Sequence, residues 1–411
     1  MADGTAGRGR SPATATAPDL AVVAGARQAR AVLADPRLVV GSADGALAEL
    51  RVSALGEVDA LYRSLFSLRD GAAHTRLRKV VAPCFTRHAA RLMRPRIAAL
   101  VDRLWTRAAG GASDRAGIPA VFDLVADFAD PLPVALAREV MELPAADEPR
   151  LLTWAGMLRD QLTPLPDTAP DPDTAHAVAG ELVALRAYAR QATDAAAGGP
   201  LHAMARAADA DTIDADEAFG LFVLLLVSGL ETLSQALVQA VRHVAADPDR
   251  LAEVRSDPAR ADHLFRLALF TAPSLRMLAR RAACPVDVGG RRLPAGGTAL
   301  VLLPAAVADD AQGRAAERGG VTASGRAAHG PRLAALAYGH GPHVCLGMHH
   351  ADLVGAELLR LLAARYERVE TLPGGRPHRH PPVNGFGYLP VRPVPRSAGR
   401  GAGGGRRRRE A

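Results

Sequence analysis

The chain has 411 residues, 49% of them hydrophobic and only 4% aromatic, which is apolar material enough for a sizeable core. Its net charge of +7 sits at one end: the last sixteen residues hold six arginines and one glutamate, so the remainder is near neutral and offers no basic folded surface for nucleic acid. Three cysteines (Cys84, Cys284 and Cys345) exclude a disulfide framework and suit a reducing cytoplasm.

Met1 to Asp19 is rich in Ala, Thr and Gly and lacks the apolar stretch of a secretory signal. Residues 1–18 therefore read as a disordered tail, 19–395 as one domain, and 396–411 as an Arg/Gly-rich disordered tail. Helical periodicity recurs near 88–108, 120–142, 148–161, 172–196, 201–209, 216–246, 258–270 and 348–366. Strand-like stretches are short: Leu38–Val40, Val286–Val288, Thr298–Leu303 and Tyr388–Val391, with tight turns around Gly289-Gly290 and Gly296. Residues Ala311 to Gly330 are poorly patterned and read as an irregular loop. The longest apolar run, Phe219 to Ser228, is about half of what spans a bilayer, so no membrane anchor is expected. The composition predicts a mainly α chain with small β-sheets.

Three constellations carry chemistry. His74 and Arg78, four apart on a predicted helix, share one face. The segment from Phe219 to Leu230 is apolar on every side, so its helix should be central and buried. Into it come the small pair Ser228-Gly229, which lets another body approach the backbone, and then Glu231-Thr232. Burying an ionisable group is costly, so Glu231 needs a reason; it equally marks where a helix leaves the core, with Thr232 bonded back to a carbonyl. The third is Tyr338-Gly339-His340-Gly341-Pro342-His343-Val344-Cys345-Leu346-Gly347, with a helical pattern after it. Glycine-punctuated amides at a helix N-terminus favour a thiolate, and a thiolate is a good axial ligand for haem iron. A buried structural cysteine in a Gly-rich turn is the alternative.

The last stretch resembles the haem-binding loop of the cytochrome P450 family, F-G-x-G-x-H-x-C-x-G, with Tyr338 in the aromatic position. Ser228-Gly229-Leu230-Glu231-Thr232 resembles that family's distal helix motif, and His74 to Arg78 ahead of Phe85-Thr86 its propionate-contacting segment. The resemblance covers about Asp19 to Pro393 and implies the family's mainly α fold, with small β-sheets and haem b between two helices. It implies Cys345 as the iron ligand and His74, Arg78, Gly229, Arg280, Tyr338, Gly339, His343 and Gly347 as further haem contacts. It makes Glu231 and Thr232 the catalytic pair, and places Leu225, Ser228, Ser274, Leu275, Gly385 and Phe386 against substrate, with the Phe66–Asp70 loop over the haem. The chain has no nucleotide fingerprint and no cysteine cluster of its own, so ferredoxin and ferredoxin reductase are the implied electron donors.

The pattern breaks in one region. The family's E-x-x-R becomes His263-Leu264-Phe265-Arg266, and Asp262 is one residue off, about 100° around the helix. The residues before the cysteine loop also lack the family's N-R-D and F-x-x-x-R, and Ala335 stands where a histidine is often found. The leading expectation is a cytoplasmic haem-thiolate monooxygenase that hydroxylates or oxidatively couples a small organic substrate in secondary metabolism. The alternative is a non-catalytic partner of the same fold that activates another biosynthetic enzyme such as a glycosyltransferase. A haem sensor or carrier is a third class.

Overall fold

The computed structural model describes residues 19–41, 56–110, 121–162, 172–317 and 335–396. The helices are α1 (Ala26–Ala34), α2 (Gly56–Ser64), α3 (Gly71–Val81), α4 (Arg87–Leu92), α5 (Arg94–Gly110), α6 (Pro131–Val140), α7 (Glu148–Leu162), α8 (Pro172–Asp194) and α9 (Gly199–Asp209). They continue with α10 (Ala215–Val227), α11 (Thr232–Ala245), α12 (Asp249–Ser256), α13 (Arg260–Thr271), α14 (Leu303–Glu317) and α15 (Met348–Arg365). The strands are β1 (Leu20–Val23), β2 (Leu38–Val39), β3 (Phe122–Asp123), β4 (Met277–Ala282), β5 (Val286–Val288), β6 (Arg291–Leu293), β7 (Thr298–Leu302), β8 (Tyr366–Thr371), β9 (Arg376–Pro377), β10 (Phe386–Tyr388) and β11 (Pro390–Pro395).

The largest sheet runs β1-β7-β4-β2. Its β1 and β7 are parallel, Leu20 opposite Thr298, so the start of the described chain is stitched to a strand far along it. A second sheet runs β3-β11-β8, and β5-β6 and β9-β10 are antiparallel pairs. Three apolar clusters fill the interior. One joins α5, α11, α13 and α15; one gathers α2, α6, α7, α8 and α10; one lies under the four-stranded sheet and α1.

Helix α10 opens on a capping box: the Asp214 carboxylate accepts from the Glu217 N–H at 2.8 Å, and Glu217 accepts from the Asp214 N–H at 3.2 Å. Gly220 lets α10 cross α2, since a Cβ there would stand 2.5 Å from the Ser64 carbonyl oxygen. The sequence predicts one helix over 216–246; the structure has two, with Ser228 to Glu231 between them. Serine and glycine are poor helix formers, and the Thr232 hydroxyl donates to the Ser228 carbonyl at 3.2 Å, competing for a helix acceptor. By length and composition the Ala215–Ala245 stretch is apolar enough to cross a membrane, yet most of it is buried among the other helices. A second correction concerns Ala311 to Glu317, read as loop from their composition; they continue α14, and residues 318–334 lie outside the described residues. So do the tails, residues 1–18 and 397–411.

Candidate functional site

The cysteine loop is wound by glycine. Gly339 (φ +77°) and Gly341 (φ +74°) take the left-handed conformation that side chains resist. Gly341 also presses on α1, where a Cβ would lie 2.4 Å from the Leu33 carbonyl oxygen. The two turns bring the Cys345 N–H to the Tyr338 carbonyl at 2.9 Å and leave the Cys345 side chain exposed just before α15. Burial of the surroundings pushes the thiol pKa up, while the Gly347 N–H and the Arg78 charge pull it down and the Asp352 carboxylate pushes it up. An amide and a cation therefore face the sulfur, the environment that a metal-bound thiolate needs.

Around the loop stand two arginines and two histidines with a single carboxylate among them. Arg78 donates to the Val344 carbonyl at 2.7 Å, and burial lowers its pKa. Arg280, only 7% exposed on β4, donates to the carbonyl of its own neighbour Ala279, and among the described residues it has no ion pair. The His74 ring lies 4.1 Å from that of His343. His74 Nε2 is buried without a partner among the described residues, and burial, then His343 and Arg78, push its pKa down to about 4. His343 Nε2 meets Asp70 at 2.9 Å, the one carboxylate in the group. One buried and one half-buried guanidinium group, with an orphaned ring nitrogen and an exposed thiol, fit the two propionates and the iron of haem.

On the other side, the break between α10 and α11 exposes Ser228 and leaves Glu231 and Thr232 half-buried. The nearest protein atoms to a Cβ at Gly229 would be Pro133 and Leu233 at 3.7 and 3.8 Å, ordinary van der Waals contact without a clash. The Glu231 carboxylate is hydrogen-bonded to His380 Nδ1, with His378 Nε2 at 3.8 Å. His378 Nδ1 accepts the His380 backbone N–H at 3.2 Å, which leaves the ring proton on Nε2. A protonated Nε2 faces the carboxylate from beyond hydrogen-bond reach and does not ligate a metal, so Glu231 and His380 form a hydrogen-bonded pair with His378 beside it.

The remaining predicted residues come together through the C-terminal segment. Gln235, buried on α11, pairs with both backbone groups of Phe386, at 2.8 Å each. The Asn384 N–H donates to the Ser274 carbonyl at 2.8 Å, and Leu275 bridges to Val383. The Ser274–Leu275 and Val383–Phe386 segments thus meet beside α11. The Phe386 ring itself is covered by the Arg242 guanidinium, 4.7 Å from its centroid, while Leu225 is half-buried beside the second apolar cluster. Asp70, at the end of the Phe66–Asp70 loop, reaches Val40 N at 3.0 Å as well as His343.

Below the loop, Arg266 does not wait for a carboxylate at position 263. It donates from Nη2 and Nε to one oxygen of Asp352 on α15, at 2.7 and 3.1 Å, and Tyr338 donates to the other at 2.7 Å. Asp262 pairs with Arg360 instead. Asp352, His378, His380 and Gln235 escaped the sequence reading. Each is joined to its partner over 86 to 151 residues, except that Tyr338 lies 14 residues from Asp352, so no local spacing announces them.

No family model matches the chain. Among curated proteins it is 30% identical over 401 residues to the cytochrome P450 monooxygenase PikC of Streptomyces venezuelae, covering 95% of this chain and 88% of that one. It is 31% identical over 301 residues to 6-deoxyerythronolide B hydroxylase of Saccharopolyspora erythraea, covering 72% and 69%. Among solved structures it superposes on a mutant of P450 EryK in complex with erythromycin B with a TM-score of 0.70 and 25% identity, covering 92% of each chain. With a cysteine loop, the Arg78 and Arg280 guanidinium groups near it and relatives of this kind, the chain belongs to the cytochrome P450 family and is a haem-dependent oxidoreductase.

Proposed function

We propose that the chain is a monooxygenase of secondary metabolism that hydroxylates or oxidatively couples a small, largely apolar organic molecule. Residues 19–395 would act as one folded unit in the cytoplasm, with ferredoxin and ferredoxin reductase supplying electrons. The observation that carries the reading is a buried guanidinium without an ion pair, Arg280, and a buried ring nitrogen without a partner, His74 Nε2, among the described residues, with the exposed Cys345 thiol two residues from the His343 ring that His74 touches. Relatives named for macrolide hydroxylation and cyclomarin C epoxidation support the substrate class.

Held at Cys345, haem supplies the activation of dioxygen. The chain's own residues do the rest. Cys345 ligates the iron, with Arg78 and the Gly347 N–H balancing the thiolate. His74, Arg78, Arg280 and His343 hold the propionates, Tyr338, Gly339 and Gly347 shape the loop, and Gly229 keeps the distal face open. The Thr232 hydroxyl, which donates to the Ser228 carbonyl, would turn towards a water or substrate held beside it. Glu231, bonded to His380, returns protons towards it, with the half-buried His378 as the outer member of the chain. Leu225, Ser228, Ser274, Leu275 and Phe386 would bound the substrate space.

The non-catalytic partner reading rests on His263 together with the poorly patterned Asp309–Gly330 stretch, of which residues 309–317 are helical and 318–330 lie outside the described residues. That support weakens because Arg266 has a carboxylate after all. The test is optical. The purified protein should carry haem, and its ferrous carbon monoxide complex should show the red-shifted Soret band of thiolate ligation. Cys345→Ala should abolish that band; a band unchanged in Cys345→Ala, or a folded protein that takes up no haem, defeats the proposal.

A further inference from the structure

We infer that Tyr338, Asp352 and Arg266 form a positioning network for the cysteine loop, in which Asp352 on α15 takes the part that a carboxylate at position 263 would play and the Tyr338 hydroxyl completes it. The inference rests on Cys345 as the iron ligand. Two features of the geometry carry it.

The first is connectivity. Both Asp352 oxygens are engaged: one takes both Arg266 donors, the other takes the Tyr338 hydroxyl. Tyr338 is tied at both ends. Its hydroxyl holds α15, and its carbonyl accepts the Cys345 N–H at 2.9 Å. A path of hydrogen bonds and one residue's covalent frame thus runs from α13 through α15 to the residue bearing the sulfur. A phenylalanine at 338 fills the same space but cuts the path at its middle. The crossing of the two helices brings the partners within reach: Gly355 on α15 lies flat on the Phe265 ring, where a Cβ would come within 2.0 Å.

The second is electrostatic. Arg266 and Asp352 are largely buried, at 19% and 13% side-chain exposure. Two donors of the Arg266 guanidinium and the Tyr338 hydroxyl surround that carboxylate, so its charge is met where it is buried. Aspartate in α15 and tyrosine in place of phenylalanine act together: the carboxylate holds Arg266, and the hydroxyl extends that hold to the loop.

The test uses the haem-loaded full chain with Tyr338→Phe, Asp352→Asn, and Asp352→Asn combined with His263→Glu, the last restoring a carboxylate one helical turn from Arg266. Two quantities are read: the rate of haem transfer to apomyoglobin, and the fraction of the ferrous carbon monoxide complex at the thiolate position. Tyr338→Phe should lose haem about five- to tenfold faster, the worth of one buried hydrogen bond, with part of the Soret band moved to the blue. Asp352→Asn should lose more, and His263→Glu should restore thiolate fraction to it. Wild-type haem transfer and Soret position in Tyr338→Phe would overturn the network, and failure of His263→Glu to rescue would overturn the claim of substitution. Should Asp352→Asn not fold, Tyr338→Phe alone decides. A wild type without the thiolate band fails the proposed function, whereas a wild type with it and an indifferent Tyr338→Phe fails only this inference.

Discussion

Arg280 shows how a single side chain can be costly alone and valuable with a ligand. Its guanidinium is buried on β4 and, among the described residues, bonds only to a neighbouring carbonyl; burial lowers its pKa, with the Asp70 carboxylate opposing from farther off. A buried charge without a counter-ion destabilises, whereas a charge-assisted bond to a carboxylate is worth about 1.5–3 kcal/mol. Arg280→Met should therefore act with opposite signs. The haem-free protein should gain about 1–3 kcal/mol in a denaturant titration, and the loaded protein should release haem about ten- to a hundredfold faster. Equal effects in both forms would mean that Arg280 serves the sheet and not the cofactor. His74, Arg78, Cys345 and the loop glycines were legible at this scale, because each sits in a short sequence window with its neighbours fixed by helix or turn geometry. Asp352 was not: a lone aspartate on an amphipathic helix reads as solvated, and only the fold brings it to Arg266 over 86 residues.

Among elements, the α13–α15 crossing is the one on which the proximal side turns. The Phe265 ring occupies the space a side chain at 355 would need. Gly355→Ala should cost about 1–3 kcal/mol from overpacking, read as a lower melting temperature, and should speed haem loss by moving Asp352 off Arg266. Helical periodicity announced most helices, since a stripe of Ala and Leu is a local signal. It missed the interruption at Ser228 to Glu231, where the apolar pattern runs straight through and only backbone competition stops the helix. It also missed β1 and β8, which are strands because of partners far away, and the helical turn at Ala311–Glu317, whose composition carries no apolar stripe.

Taken whole, the molecule holds ionisable groups that make it sensitive to acid in two stages. His350 is buried with neither ring nitrogen bonded among the described residues, and burial pushes its pKa down to about 4; His243 is pushed down equally, by burial and then Arg250. Such histidines are neutral in the fold, so their contribution is complete above about pH 6.5 and disappears as pH falls towards 4, about 3 kcal/mol for His350. Glu217 behaves differently. The Arg76 guanidinium, against the opposing effect of burial, holds its carboxyl at about 2, so its contribution is complete above about pH 4.5 and is lost below that. Melting temperature against pH should show both limbs, and His350→Leu should flatten only the upper one.

Gly341 has a bearing on how the protein comes into being. The sulfur-bearing turn leans directly on the carbonyl of Leu33, so an early stretch of chain forms the wall for a turn made much later. Whatever folds during translation, that turn can close only after the ribosome has passed Gly341, so any ligand that depends on its closed form is captured after that point.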